Sequence, residues 1–327
     1  MPDPPTPTET NRPIAVTGAT GFVGRHVIRS LIKRGRRVRA LIRDARTAHR
    51  TLPETGVDLI LGDVLAPDAL GALVEGSAAL VHLVGIRREQ PGGVTFEKLH
   101  VAATRHAVTA ARRAGVTRYV QMSALGARPD AVTEYHRTKW RAELIVRDSG
   151  LAWTILRPSL ILGADGEFLQ MARGWARGTE PPRRFMPYFC KPTPGVGEPV
   201  PDRCDRSALV QPIWVEDVAR AVAESLDREA PIGEVEPLVG PEALTWPQLL
   251  VTIHDATPGA KKKIQPMGVP GVMASHLARL TERVGLSGLL PFGPSEPLMA
   301  IEDNTGSPAK ARADLGLEPA PLADALA

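Results

Sequence analysis

The fold is decided by nine residues near the start of the chain, Val16-Thr17-Gly18-Ala19-Thr20-Gly21-Phe22-Val23-Gly24. Before them, the short apolar run from Pro13 to Val16 predicts a buried parallel strand. After them, the segment from Phe22 to Gly35 has its apolar residues at the spacing of an amphipathic helix. A strand that ends in glycines and opens a helix is the setting that a phosphate-binding turn requires.

Each glycine in this stretch has its own expected task. Gly18 allows a sharp turn, Gly21 lets a pyrophosphate approach the backbone, and Gly24 lets the helix pack closely on the strand. The backbone N–H groups and the positive end of the helix would then hold the phosphates. The alternative is a purely structural turn between a strand and a helix.

Composition and charge narrow the class of protein. The chain has 327 residues, of which 43% are hydrophobic, enough to build one large domain or two small ones. Its formal net charge is +4, but 40 basic residues are interspersed among 36 acidic ones, and only 4% of residues are aromatic. Because basic stripes and stacking platforms are scarce, we expect no nucleic-acid partner.

The N-terminus and the cysteines exclude further classes. Residues 1–12 are rich in proline and threonine without an apolar core, so we predict a disordered tail rather than a signal peptide. No apolar run approaches the ~20 residues that span a bilayer, and we expect a cytoplasmic protein without a transmembrane segment. Cys190 and Cys204 lack a Cys-x-x-Cys spacing and are expected to be free thiols, and no metal site is predicted.

Strand and helix patterns alternate after the glycine turn. Further strands are predicted at 38–42, 57–61, 78–84, 117–122 and 152–156, and helices at 67–75, 95–114 and 134–148. This alternation implies right-handed crossovers between parallel strands. It predicts an α/β protein with a Rossmann-like, doubly wound parallel sheet over residues 13–164.

The alternation breaks beyond about residue 165. Residues 181–207 are rich in proline, glycine and charge, and are predicted to form an extended loop or small lobe. Later helices are predicted at 217–227, 246–253 and 273–284. We expect residues 165–327 to form a smaller, mostly helical substrate or lid region that returns to the Rossmann sheet near 211–227 and closes over the ligand crevice.

Several motifs together resemble one known family. They are Thr17-Gly18-x-x-Gly21-x-x-Gly24, Asp63-Val64, Ser123, Tyr135-x-x-x-Lys139 and Arg157-Pro158-Ser159. Over nearly the whole chain, this set resembles the extended short-chain dehydrogenase/reductases, which are similar to NAD-dependent epimerases and dehydratases. Finer details resemble the branch of the NADPH-binding accessory subunit of respiratory complex I and its bacterial relatives. Those details are Ser123-Ala124-Leu125-Gly126, Gln211-Pro212-Ile213-Trp214-Val215-Glu216-Asp217-Val218-Ala219 and Glu302-Asp303-Asn304.

The resemblance implies catalytic residues and a dinucleotide site. The implied catalytic residues are Ser123, Tyr135 and Lys139. The residues implied to bind the cofactor are Thr17, Gly18, Thr20, Gly21, Phe22, Val23, Gly24, Arg43, Asp63, Val64, Tyr135, Lys139 and Pro158. Lys139 would hold the nicotinamide ribose, and Ser123 would donate a hydrogen bond to the substrate oxygen.

Tyr135 and Lys139 also suit proton transfer on physical grounds. Being four residues apart, they project from one face of the predicted helix. A tyrosine with its free pKa of ~10 is a poor base at neutral pH. We expect the adjacent ammonium, helped by an oxidised nicotinamide, to lower the pKa of Tyr135 toward the working range.

The end of the second predicted strand bears on the choice of cofactor. NAD-preferring sites usually place an acidic residue there to accept from the ribose hydroxyl, but this chain has Ile42 followed by Arg43. Since an arginine can pair with a 2′-phosphate, NADP(H) is favoured. NAD(H) stays open because Asp44 is adjacent. Asp63 would bind the adenine amino group or serve only as a turn residue.

Some residues depart from the family pattern, among them Trp214, which replaces a commoner His or Tyr. His100 stands where the helix after the fourth strand often carries asparagine, and we expect it to pack or bond locally rather than act in catalysis. The fourth strand ends in Leu83-Val84-Gly85 instead of a pair of small residues. The spacing on the nicotinamide side is therefore expected to differ slightly.

Three functions fit these observations. The first is an NADP(H)-dependent oxidoreductase, epimerase or dehydratase that uses Ser123, Tyr135 and Lys139 on an unknown small-molecule substrate. The second is a non-catalytic NADPH-binding structural or assembly factor. Its partner would be a respiratory-chain or quinone-related protein, with a location peripheral to the inner membrane. The third is a redox-sensing regulator, which has no need of an acid–base pair.

Overall fold

The strands and helices are those of a computed structural model, which describes residues 12–90, 92–191, 206–283 and 290–326. The strands are β1 (Ile14–Thr17), β2 (Val38–Ile42), β3 (Val57–Leu61), β4 (Ala79–His82), β5 (Arg118–Met122), β6 (Ala152–Pro158), β7 (Ile161–Leu162), β8 (Met186–Cys190), β9 (Leu209–Val210), β10 (Ile213–Trp214), β11 (Glu234–Leu238), β12 (Leu244–Thr245) and β13 (Pro266–Pro270). The helices are α1 (Phe22–Lys33), α2 (Ala45–Thr51), α3 (Pro67–Val74), α4 (Ala103–Arg113), α5 (Glu134–Arg147), α6 (Glu167–Arg177), α7 (Val215–Asp227), α8 (Trp246–Asp255), α9 (Gly271–Arg283), α10 (Ser295–Ala300), α11 (Ala309–Leu315) and α12 (Leu322–Leu326). A π-helical segment, Glu97–Ala102, leads directly into α4.

The main sheet has seven strands in the order β11-β6-β5-β4-β1-β2-β3, and every pair in it is parallel. Every residue of β1 is buried, as expected for a central strand. The chain moves outward from β1 in one direction through β2 and β3, and in the other through β4, β5 and β6. A ligand crevice is expected beyond the carboxyl ends of β1 and β4, where that direction reverses.

Apolar side chains cover both faces of this sheet. On one face, Val16 packs in a core with α1, α7 and α11. On the other, Ala15 packs with α3, α4 and α5. Successive strand residues point to opposite faces, so a strand covered on both sides is apolar throughout. The predicted Rossmann-like, doubly wound parallel sheet is confirmed.

Two parts of the chain beyond residue 206 pack against the main sheet or its helices. β11 pairs with β6, with Val235 opposite Ile155, and forms the outer edge of the sheet. No strand was predicted there, because Glu-Val-Glu-Pro-Leu has too few apolar residues to indicate one. β10 pairs with β7 outside the main sheet, and α7 packs against α1.

The C-terminal region has its own apolar core. Leu169 and Ala172 of α6 pack there with Met186 of β8 and Leu250 of α8. Part of the segment predicted to be an extended loop is therefore strand β8, which pairs in parallel with β13. Residues 192–205 of that segment lie outside the described residues, as does the predicted tail up to residue 11.

Two expectations about the whole chain can be compared with the structure. Cys190 is buried and disulfide-bonded, so the expectation of a free thiol there was wrong. Cys204 lies outside the described residues. Within the described ranges, no helix is both long enough and apolar enough to cross a membrane.

The buried carboxyl of Glu236 on β11 makes the stability of the fold depend on pH. The residue has no exposed surface, and its Oε1 lies 3.3 Å from Nζ of Lys310. Burial raises the pKa of Glu236 to about 7, and Lys310 opposes that shift only in part. Because the folded-state pKa is above the unfolded one, its contribution to stability is complete below the unfolded pKa and is lost as pH rises through 7.

We therefore expect the free energy of unfolding to fall by roughly 2 kcal/mol between pH 5 and pH 8, since one pKa unit corresponds to about 1.4 kcal/mol. The measurement is urea unfolding at a series of pH values. Glu236→Gln should flatten this dependence. Glu234→Gln removes an exposed carboxylate that also contacts Lys310, 3.1 Å away. This control substitution should leave the pH dependence of unfolding unchanged. Equal effects of the two substitutions would contradict the assignment to Glu236.

Candidate functional site

The glycine turn closes tightly against the end of β4. Gly18 has a φ of +73°, and a Cβ there would lie 3.0 Å from the backbone carbon of Leu83. A Cβ on Gly24 would lie 2.2 Å from the carbonyl oxygen of Gly18, so no side chain fits. Gly21 is the N-cap of α1 and makes no side-chain capping bond. Because glycine has no side chain, the N-cap residue does not occupy the first N–H groups of α1, which an anion-binding turn needs.

Lys139 is buried on α5 behind the end of β5. Its Nζ donates a hydrogen bond to the carbonyl oxygen of Met122, 3.1 Å away. Burial lowers the pKa of Lys139 to about 8, and the negative charge of Glu143 acts in the opposite direction. A Cβ on Gly85 would lie 2.8 Å from Nζ, so the glycine that ends the fourth predicted strand makes room for this ammonium.

Tyr135 lies one turn before Lys139 and is surrounded by aromatic rings. The rings of Phe96, His100 and His136 meet it edge-on, with centroids 5.9, 5.5 and 5.1 Å away. Burial raises the pKa of Tyr135 to about 12, and Arg87 lowers it only in part. The expected lowering by Lys139 was wrong, because desolvation dominates and Lys139 is not among the groups that shift this pKa.

Ser123 directs its hydroxyl group at a buried carboxylate. Its Oγ donates to Oε1 of Glu143 over 2.5 Å. Glu143 has no exposed surface and also accepts two hydrogen bonds from Arg157, at 2.8 and 2.6 Å, and one from Arg147 at 3.1 Å. For Ser123 to donate to a substrate oxygen, as the family resemblance implies, the bond to Glu143 would have to open.

The sequence did not predict the contact between Glu143 and Arg157. Arg157 belonged to a quoted motif without a role, and Glu143 was not singled out. The sequence did contain a signal, since Tyr135, Lys139 and Glu143 are spaced at i, i+4 and i+8. That spacing puts all three on one face of α5.

His100 links the loop after β4 to α5. Its Nε2 accepts from the backbone N–H of Ile86 at 3.2 Å, and its Nδ1 lies 2.8 Å from Oγ1 of Thr138. Because Thr138 donates its own hydroxyl to the carbonyl of Glu134, His100 is assigned as the neutral Nδ1–H tautomer. Burial, with Lys139 nearby, lowers the pKa of His100 well below its usual value. His100 therefore bonds locally, as expected.

The predicted adenosine side lies at the ends of β2 and β3. Arg43 is exposed, whereas Asp44 caps α2 and accepts from N–H groups of Arg46 and Thr47 at 3.1 and 3.0 Å. The Thr47 hydroxyl adds a third bond at 2.6 Å, and these bonds lower the pKa of Asp44. Asp63 is exposed, and its Oδ1 accepts from the N–H of Leu65 at 2.8 Å, so it does serve as a turn residue.

A cavity of about 710 Å³ joins the glycine turn to the Tyr135–Lys139 pair. The predicted site residues that line it are Gly18, Gly21, Phe22, Val23, Gly24, Ser123, Tyr135, Lys139 and Pro158. The others, which do not line it, are Thr17, Thr20, Arg43, Asp63 and Val64. Thr17 is buried, and its Oγ1 lies 2.7 Å from Nδ1 of His82. In the described ranges, no His, Cys, Asp and Glu side chains cluster in a way that could hold a metal ion.

A family model described as "NAD(P)H-binding" matches residues 18–174, which start at the first glycine of the turn. The matched segment contains the whole Tyr135–Lys139 region. Residues 18–174 therefore form an NAD(P)H-binding domain, and the fold of the chain agrees with the resemblance to the extended short-chain dehydrogenase/reductases. The family resemblance predicted from the sequence is confirmed for the NAD(P)H-binding domain.

Three curated relatives illustrate the range of proteins that this chain is similar to. A ceramide reductase of Caulobacter vibrioides is 29% identical over 80% of this chain and 75% of its own length. An NAD(P)H azoreductase of Xenophilus azovorans is 26% identical over 92% of this chain and 96% of its own. Subunit 9 of the NADH dehydrogenase [ubiquinone] 1 alpha subcomplex of Arabidopsis thaliana is 28% identical over 73% of this chain, which spans only 56% of that relative's length.

Solved structures agree with this fold. The structure described as "Crystal structure of gox2253" has a TM-score of 0.71 and 26% identity, and covers 97% of this chain and 96% of its own. The NADPH-dependent quinone oxidoreductase QOR2 from Escherichia coli, complexed with NADPH, has a TM-score of 0.70 over 96% of this chain and 98% of its own. At 20% identity, the second likeness shows the fold alone.

The buried carboxylate of Glu143 should dominate the stability of α5. Glu143→Ala leaves Arg157 and Ser123 without their acceptor, and we expect a loss of about 3 kcal/mol in the free energy of unfolding. Glu134→Ala, on the same helix, removes ion pairs between half-exposed side chains and should cost less than about 1 kcal/mol. Urea unfolding of both variants checks this. Equal losses of stability in the two variants would contradict the role of Glu143 as the shared acceptor for Ser123 and Arg157.

Proposed function

We propose that the protein is an NADPH-dependent oxidoreductase that reduces a carbonyl group, with Tyr135 as the proton donor. The observation that carries this proposal is the cavity that reaches from the glycine turn to the Tyr135–Lys139 face of α5. When bound, NADPH supplies a hydride to an electrophilic carbon. The chain's own residues must then hold the reacting oxygen and deliver one proton to it.

The protonation states of the two residues at neutral pH suit proton donation to a substrate oxygen. With its pKa raised to about 12, Tyr135 keeps its proton at neutral pH and can donate it to a developing alkoxide. Lys139, with a pKa lowered to about 8, is still mostly an ammonium at pH 7. It is therefore in the protonation state that can return a proton to Tyr135 after the transfer.

Three observations at the end of β2 support NADPH over NADH. Asp44 is engaged at the N-terminus of α2, so it is poorly placed to accept from a ribose hydroxyl. Arg43 beside it is exposed and can pair with a 2′-phosphate. Ile42 is buried and has no polar group to offer.

Arg43→Ala should weaken NADPH binding by roughly tenfold to a hundredfold, because a charge-assisted hydrogen bond contributes about 1.5–3 kcal/mol. NADH binding should change by less than about threefold. Fluorescence titration with both nucleotides measures this. Arg46→Ala, an exposed arginine on α2, is the matched control and should affect neither. Equal weakening of NADPH and NADH would refute the assignment of Arg43.

Tyr135→Phe should lower kcat for carbonyl reduction by about 10²–10⁴-fold, the usual contribution of a positioned general acid. NADPH affinity should stay nearly unchanged, because the glycine turn is intact. NADPH consumption with a panel of ketones and quinones gives the readout. Tyr119→Phe, which removes a buried hydroxyl 3.2 Å from Gln121, is the control for loss of one tyrosine hydroxyl. Unchanged turnover in Tyr135→Phe would exclude this role.

A second candidate function is a non-catalytic, NADPH-holding subunit that docks on a respiratory-chain or quinone-related complex at the inner membrane. The observation that favours it is an apolar stripe on α9, where Met273, Leu277 and Leu280 are 61%, 51% and 57% exposed. Arg279 and Arg283 are exposed on the same helix. Protein that binds NADPH but consumes none with any carbonyl or quinone would favour this candidate over the enzyme.

A further inference from the structure

The part of the cavity beyond Tyr135 has an aromatic and aliphatic wall. Phe168, Met171 and Trp175 line it from α6, where their spacing of three and four residues puts them on one face. The C-terminal region adds Trp246 from α8 and the Phe189–Phe292 pair, whose rings meet edge-on with centroids 5.0 Å apart. Phe168 and Trp246 also meet edge-on, at 5.8 Å.

The polar groups of both tryptophans are used within the protein. The indole N–H of Trp175 donates to the carbonyl of Pro181 at 2.8 Å, and that of Trp246 donates to the carbonyl of Ala300 at 2.8 Å. What these side chains can offer a ligand is therefore the carbon surface of their rings. Such a wall binds apolar groups and provides no hydrogen bond to a sugar hydroxyl.

Carboxylates also line the cavity, and they disfavour an anionic substrate beside the cofactor. Among the described residues that line it, the lysine and arginine side chains are Lys139 and Arg87. Arg87 is engaged by Glu167 at 2.6 Å and Glu296 at 3.5 Å. Glu302 also lines the cavity and pairs with Arg128 at 3.0 Å, so all three carboxylates are held by arginines whose charge they neutralise. Little positive charge is left for a diphosphate. His136 adds no charge, because burial lowers its pKa to about 4.

We infer that the substrate is an uncharged, lipophilic ketone whose hydrocarbon body fills this aromatic chamber, with its carbonyl group at Tyr135. This inference rests on the proposed reductase function. A hydride, which carries two electrons, passes from NADPH to the carbonyl carbon, and the Tyr135 proton passes to the oxygen. The ketone is reduced to an alcohol, and NADPH is oxidised to NADP⁺. Nucleotide sugars are excluded by the same wall and the same carboxylates.

The first test uses the unmodified protein loaded with NADP⁺, with Nile red as a fluorescent probe of the chamber. Linear methyl ketones from hexanone to undecanone should displace the probe, and affinity should rise roughly threefold to fourfold with each added methylene group. UDP-glucose should not displace it. Displacement by UDP-glucose, or affinity that is independent of chain length, would overturn the inference.

The second test places a charge in the chamber. Met171→Glu should weaken undecanone binding by at least tenfold, because a carboxylate would have to be desolvated beside the alkyl chain. Met267→Glu makes the same change at a methionine that is 44% exposed, outside the cavity, and should have no effect. Met171→Leu should retain the affinity. If Met171→Glu binds undecanone as tightly as the unmodified protein, the chamber is not the binding site.

These measurements separate the two proposals. Probe displacement needs no turnover, so chain-length dependence without NADPH consumption would support the lipophilic site and contradict the reductase. NADPH consumption with short, polar carbonyl compounds, without chain-length dependence, would support the reductase and overturn the lipophilic site. NADPH titration of each variant shows that the glycine turn and the fold remain intact.

Discussion

The buried ammonium of Lys139 is the constraint on which the rest of the site depends. A buried ammonium must find hydrogen-bond acceptors and counter-charge, because taking it out of water is costly. Lys139 finds an acceptor in the carbonyl of Met122 and counter-charge in Glu143, one helical turn away. Gly85 lies close to this ammonium, and a Cβ at that position would come within 2.8 Å of Nζ. His100 then holds the following residue, Ile86, in place.

Glu143 extends this constraint to the neighbouring strands. It joins Ser123 at the end of β5 and Arg157 near the end of β6 to α5, so three elements are fixed to one carboxylate. Such a cluster is rigid, since breaking any part of it leaves a buried charge or hydroxyl unsatisfied. Tyr135 is positioned by the same helix but lies among aromatic rings instead of charges. Tyr135 is therefore protonated at neutral pH, which is the state that a proton donor requires.

Much of the fold could be predicted from local sequence. The run from β1 to α1 was predictable because glycine at 18 and 24 is dictated by backbone contacts within a few residues or with the adjacent strand. The alternation of apolar strands and amphipathic helices likewise indicated the parallel sheet. β11 was missed because an edge strand needs fewer apolar residues, and Glu236 on it is buried against Lys310, which is distant in sequence.

The site was less predictable than the fold. The Tyr135–Lys139 spacing is local and was found, but the pKa of Tyr135 depends on rings from Phe96 and His100, which the fold brings in from another helix. The aromatic chamber combines side chains from α6, β8 and α8 with the segment before α10. No periodicity within one segment reports such a convergence, and only the three-dimensional packing shows it.

The most direct test of the central claim is a crystal structure of the protein with NADPH bound. We predict that the pyrophosphate lies on the turn between Gly18 and Gly24 and that the 2′-phosphate lies beside Arg43. The nicotinamide should lie in the cavity next to Tyr135, with its ribose on Lys139. A nicotinamide that points away from Tyr135, or a ribose with no contact to Lys139, would contradict the claim.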